Sequence, residues 1–118
     1  MATNLPTKLN IKSGMKLRVL GKPASLALPG VTTTSSGKAD GVMVFVKTLA
    51  DVDKTCGPAM EAAKADKLAW IVYPKAGQLD TDLNRDILWN HVARYGIQGV
   101  RQIALDEVWS AMRFRPKK

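Results

Sequence analysis

Two short stretches, VMVFV at 42–46 and LAWIVYP at 68–74, leave this chain few folds to choose from. Both are apolar almost throughout, and the first carries three β-branched valines in five residues. A strand with one wet face alternates apolar and polar residues. A strand apolar on both sides needs cover on both, as a central strand of a parallel α/β sheet does. Between the two, Leu49, Val52, Cys56, Ala59, Met60 and Ala63 recur at three- and four-residue spacing, which predicts helix. Gly57-Pro58 interrupts that helix, so a kink or two short helices is expected, with Pro58 opening the second.

The flanking segments extend the pattern. Residues 16–20 read as a strand, with Leu17 and Val19 on one face and Gly21 and Pro23 ending it. Residues 24–30 read as a short helix or an irregular turn, and residues 31–34 as a brief edge strand. DLNRDILWNHVARYG reads as the second helical region. Asp80, Thr81 or Asp82 caps it, Gly96 stops it, and Leu83, Ile87, Leu88, Val92 and Tyr95 form its broad apolar face. From Gly99 the chain alternates, turns near Asp106-Glu107 and alternates again, which predicts a hairpin.

Strand, helix, strand, helix, strand gives the α/β class: a three-layer, Rossmann-like, mostly parallel sheet with a C-terminal antiparallel hairpin at its edge. One α/β domain spans residues 1–118, with 1–8 and 115–118 as flexible basic termini. Val44, Val46, Trp70, Val72, Ile87 and Ile103 are the expected core.

Charge and cysteine usage narrow the setting. The net charge is +8, and the excess of bases sits towards the two ends, finishing in RFRPKK. Such a chain suits anionic partners, small or polymeric. No run approaches the ~20 apolar residues of a membrane span. The first residues lack the apolar core of a secretory signal. A single cysteine, Cys56, fits a reducing compartment. A cytoplasmic protein with no membrane partner is the expectation.

Three motifs carry a resemblance: a strand ending in Tyr73-Pro74-Lys75, the helix start TDLNRDILW, and the ending GVRQIALDEVWSAMRFRP. They resemble a set of short bacterial proteins grouped as a domain of unknown function. The resemblance runs from IKSGMKLRVLGKP to MRFRP. Members of that set often turn on glycine where this chain has Ala65-Asp66-Lys67. The resemblance implies a strand and helix order similar to the C-terminal half of class I methyltransferases. It implies no activity, since fold does not carry function.

The residues themselves exclude several chemistries. After the first strand comes LGKPASLALPG, with no G-x-G-x-x-G, so no tight binding of S-adenosylmethionine or NAD and no cofactor is expected. One histidine and one cysteine cannot build the common metal sets, and Asp80, Asp82 and Asp86 read as helix-start acids. Cys56 falls on an apolar stripe and His91 on a half-buried face, so both read as packing residues. In open α/β sheets, ligands bind beyond the carboxyl ends of the strands. Lys22, Lys47 and Lys75 fall at three such ends, and Thr81, Asp82 and Arg85 begin the helix beside them. The expectation is a binding or interaction module with an anionic-ligand site there. One alternative is an enzyme acting on a small anionic substrate, with Lys75, Asp82 and Arg85 as working groups. Another is an RNA binder using Trp109, Arg113 and Arg115 on one strand face, where arginine and tryptophan can stack on bases.

Overall fold

The computed structural model describes residues 9, 11, 15–22, 31–34, 39–75, 81–105 and 108–116. They form five strands in one sheet: β1 (Leu17–Leu20), β2 (Gly41–Phe45), β3 (Leu68–Pro74), β4 (Ile97–Ala104) and β5 (Trp109–Pro116), in the order β1-β2-β3-β5-β4. Three helices are described: α1 (Leu49–Thr55), α2 (Gly57–Lys64) and α3 (Arg85–Ala93). The two apolar stretches of the sequence are β2 and β3, paired in parallel with Met43 opposite Trp70 and Phe45 opposite Val72.

The sheet is mixed, which corrects the expectation of a mostly parallel, three-layer Rossmann-like fold with an antiparallel edge. β1-β2 and β2-β3 are parallel, but β3-β5 and β5-β4 are antiparallel. The last strand folds back into the sheet between β3 and β4, and β4 becomes the edge. Burial explains the exchange. Trp109, Ala111, Met112 and Phe114 of β5 are buried, whereas Val100, Arg101, Gln102 and Ala104 of β4 are exposed. The more apolar strand takes the interior, and the strand with Arg101 and Gln102 takes the edge, where charge discourages further pairing.

The layers differ from expectation too. Val52 of α1, the small residues Ala59, Ala62 and Ala63 of α2, and Leu88 and Val92 of α3 all join one core with Val44, Ile71, Tyr73, Met112 and Phe114. On the opposite face Leu17, Met43, Phe45, Trp70, Val72 and Trp109 meet Leu9, Ile11, Met15 and Val31, with no residue of a described helix among them. The indole Nε1 of Trp70 donates to the Leu9 carbonyl at 3.0 Å, fixing Leu9 over the sheet.

The interrupted helix is two helices meeting at Cys56, with Pro58 in the first turn of α2, where its missing N–H costs nothing. Asp66 ends α2 in the left-handed conformation, φ 59°. Its N–H reaches Ala63 O at 3.0 Å, and the Lys67 N–H reaches Ala62 O at 2.8 Å. That pattern is the usual glycine stop, here made by an aspartate, which tolerates positive φ better than most residues.

Four of the six expected core residues are buried, Ile103 is partly so, and Ile87 is 38% exposed. The helix begins at Arg85, which turns Ile87 away from the Leu88 and Val92 face. β5 runs to Pro116 and Arg115 is paired with Asp66, so residues 115 and 116 belong to the sheet rather than to a basic tail. Residues 1–8, 24–30 and the Asp106-Glu107 turn lie outside the described residues. Trp70→Phe removes the donor to Leu9 O and should cost about 1–3 kcal/mol in urea unfolding, with faster amide exchange at Ile11 and Met15.

Candidate functional site

The C-terminal ends of β1, β2 and β3 form one rim. Gly21 sits at the first end with φ +74°, and a Cβ there would stand 2.8 Å from the Phe45 carbonyl oxygen. Only glycine lets β1 end this close to β2. At the second end Thr48 caps α1. Its hydroxyl accepts from the Asp51 N–H at 3.3 Å, while Asp51 Oδ2 accepts from the Lys47 and Thr48 N–H groups at 3.1 and 3.3 Å.

The six expected site residues divide into groups. Thr81, Asp82 and Lys47 come together, and they do so as structure. The Thr81 hydroxyl donates to the Lys47 carbonyl and accepts from the Leu83 N–H. Asp82 Oδ1 accepts from the Leu49 N–H at 2.8 Å. Asp82 therefore caps α1, 33 residues earlier in the chain, and not its own helix. The cap of α3 is Asn84, extended at φ −149°, whose Oδ1 accepts from the Ile87 N–H at 2.8 Å. This corrects the expected cap at Asp80, Thr81 or Asp82, of which Asp80 lies outside the described residues. At the start of α1 the N–H groups of Thr48, Leu49 and Asp51 are taken by the Asp51 carboxylate, the Asp82 carboxylate and the Thr48 hydroxyl, which leaves little to draw an anion.

Lys75 is half-buried, and its N–H donates to Val108 O at 2.7 Å. Arg85 is exposed and pairs with the equally exposed Asp86 at 3.3 Å, an ion pair of little energetic weight. Lys22 lines a surface depression of about 400 Å³ with Arg18, Val19, Leu20, Thr33 and Thr34. Arg18, Thr33 and Thr34 were not singled out from sequence. The available signal was the position of Arg18 between Leu17 and Val19, on the opposite face of a short strand.

Other reactive groups are engaged elsewhere. Cys56 is fully buried, and burial pushes its thiol up to about 12, far from a nucleophile's range. Asp53 Oδ1 accepts from Tyr95 Oη at 2.5 Å and contacts His91 Nε2 at 2.8 Å, tying α1 to the end of α3. The Tyr95 hydrogen bond, and then that of His91, holds the Asp53 carboxyl below its ordinary range, while the same contact with Asp53 raises the Tyr95 phenol. Among the described residues no group of three or more His, Cys, Asp or Glu side chains could hold a metal ion, and no helix is long and apolar enough to cross a membrane. Trp109 is 6% exposed and packs edge-on against Phe45, ring centroids 5.5 Å apart, so it offers no face to a base.

Compared with known proteins, the chain matches no family model and no curated protein.

Two outcomes follow from this geometry. Asp82→Ala should lower stability by about 1 kcal/mol, and Asp82→Asn, which keeps an acceptor, by less; thermal melting of both variants checks it. Asp53, lowered in the fold, contributes stability that is complete above its unfolded value of about 3.9 and is lost as pH falls through the folded value. Tyr95, raised in the fold, contributes below about pH 10 and loses its contribution as pH rises through its folded value. Melting temperatures of Asp53→Asn should therefore fall less than those of the wild type below pH 4.

Proposed function

We propose that this protein is a binding module for a small anionic ligand, held along the outer edge of β1 by Arg18, Lys22, Thr33 and Thr34. The observation that carries the reading is the lining of the depression there. Arg18, Lys22, Thr33 and Thr34 line it beside Val19 and Leu20, and no carboxylate stands among its described lining residues. Cations fix a phosphate or carboxylate, hydroxyls orient it, and the apolar side chains accept its carbon skeleton. Lys47 adds positive charge at the adjacent strand end.

The reading favours binding over catalysis. Thr81 and Asp82 are committed to backbone groups, and the described thiol is buried and protonated. A lone buried cysteine suits a cytoplasmic setting. The three sequence motifs support placing the protein beside the bacterial set it resembles.

Native mass spectrometry of protein taken from its host should show a co-purifying anionic metabolite. Arg18→Gln and Lys22→Gln together should remove it while the melting temperature stays within a few degrees. Retention of the ligand by the double variant, or recovery of the wild type with none, would refute the reading.

A further inference from the structure

Arg101 and Arg113 oppose each other directly across the β4–β5 pair, at the other side of the sheet from β1. Like charges at opposed positions destabilise a sheet. A bulge creates the arrangement. Gly99 opposes Phe114 and Arg101 opposes Arg113, so Val100 is the extra residue. On a regular strand Val100 would face Arg113, and Arg101 would turn to the opposite face. The bulge instead leaves Val100 46% exposed and brings two guanidinium side chains to one face.

A second observation concerns Arg113 itself. Its Nε is buried and has no hydrogen-bond partner. The carboxylate of Asp66 serves another group: it accepts from Arg115 Nε at 2.9 Å and from Arg115 Nη2 at 3.1 Å, a two-pronged pair. Arg113 acts on Asp66 only at longer range, helping to hold its carboxyl low after the Arg115 contacts. Among the described residues, the Asp66 carboxylate is thus committed to Arg115, and Arg113 feels it only at a distance.

We propose that Arg101 and Arg113 form a second anion site, one that takes a phosphate group. A phosphate between them would relieve the like-charge opposition. The planar guanidinium fork matches phosphate oxygens better than a lysine would. Trp70, which opposes Arg113 on β3, is fully buried, and so the site reads the phosphate by charge and fork geometry without stacking on a base. The site shares no residue with the depression at β1.

Calorimetric titration tests it, with pyrophosphate and a short single-stranded RNA as separate probes. The protein is the wild type and the Arg18→Gln/Lys22→Gln variant, so that the β1 depression does not contribute. Pyrophosphate should bind both saturably, and Arg101→Gln or Arg113→Gln should each weaken it about tenfold or more. Arg94→Gln, an exposed arginine elsewhere, should change little. RNA binding lost with the same two substitutions would identify the phosphate as a phosphodiester and support the site. No saturable binding of either probe, or equal weakening by Arg94→Gln, overturns it. Without ligand, Arg113→Met keeps the aliphatic stem and should raise the melting temperature, and pyrophosphate should then stabilise only proteins that retain Arg113. A fall in melting temperature, with no shift of the wild type by pyrophosphate, makes Arg113 a cover for Trp70 and refutes the proposal.

Discussion

Burying β3 on both faces forces most of the architecture. Ala69, Ile71 and Tyr73 enter one core, and Leu68, Trp70 and Val72 the other, so both faces need cover at once. Helices cover one face because the chain leaves β2 and β3 through helical segments. Among the described residues, Leu9, Ile11, Met15 and Val31 cover the other face, and their backbone polar groups need partners of their own. Trp70 solves part of it by donating to Leu9 O. Tyr73 reaches the opposite way, accepting from Gln102 Nε2 at 2.9 Å across the intervening β5. The two polar ends on the central strand thus pin the N-terminal segment to one face and the edge strand to the other.

The rim at the strand ends shows how two βα junctions become one unit. Asp82 caps α1, and Thr81 holds the Lys47 carbonyl, so the chain leading into α3 closes the turn leading into α1. Each is a hydrogen bond worth about 1 kcal/mol. Together they hold in fixed relation two segments that lie 33 positions apart in sequence. A rim braced in this way needs little rearrangement on binding, which favours a preformed site over one built by loop closure. It also removes the acids and hydroxyls that sequence reasoning had offered as working groups.

Residue pattern revealed the buried strands, the break at Gly57-Pro58 and the closing hairpin, because each is written within a few residues of itself. It could not reveal strand order. Nothing local says that β5 inserts between β3 and β4, although the contrast between WSAM in one and VRQ in the other carries the hint. The α3 wheel failed for a related reason. Including Leu83 in the helix rotated the apolar face onto Ile87, whereas the extended Asn84 resets the phase. Four polar residues in five positions could each have capped α3. The choice was decided by Leu49, far away in sequence, which takes Asp82 for itself.

Asp66 illustrates the balance of charge in the hairpin. A left-handed residue other than glycine costs roughly 1 kcal/mol, less for aspartate. The pair it makes with Arg115 is half exposed, at 54% and 50% for the two side chains, and such pairs add little to stability. Taken alone, the pair barely offsets the strain, and glycine would serve the turn as well. The difference lies in what surrounds it. Arg101 and Arg113 are already opposed, and Arg115 follows on the same strand, so removal of the Asp66 carboxylate would add the unpaired charge of Arg115 to theirs. Asp66 keeps the hairpin tolerable without neutralising it, and the positive charge it leaves behind is concentrated at the bulge, where Arg101 meets Arg113.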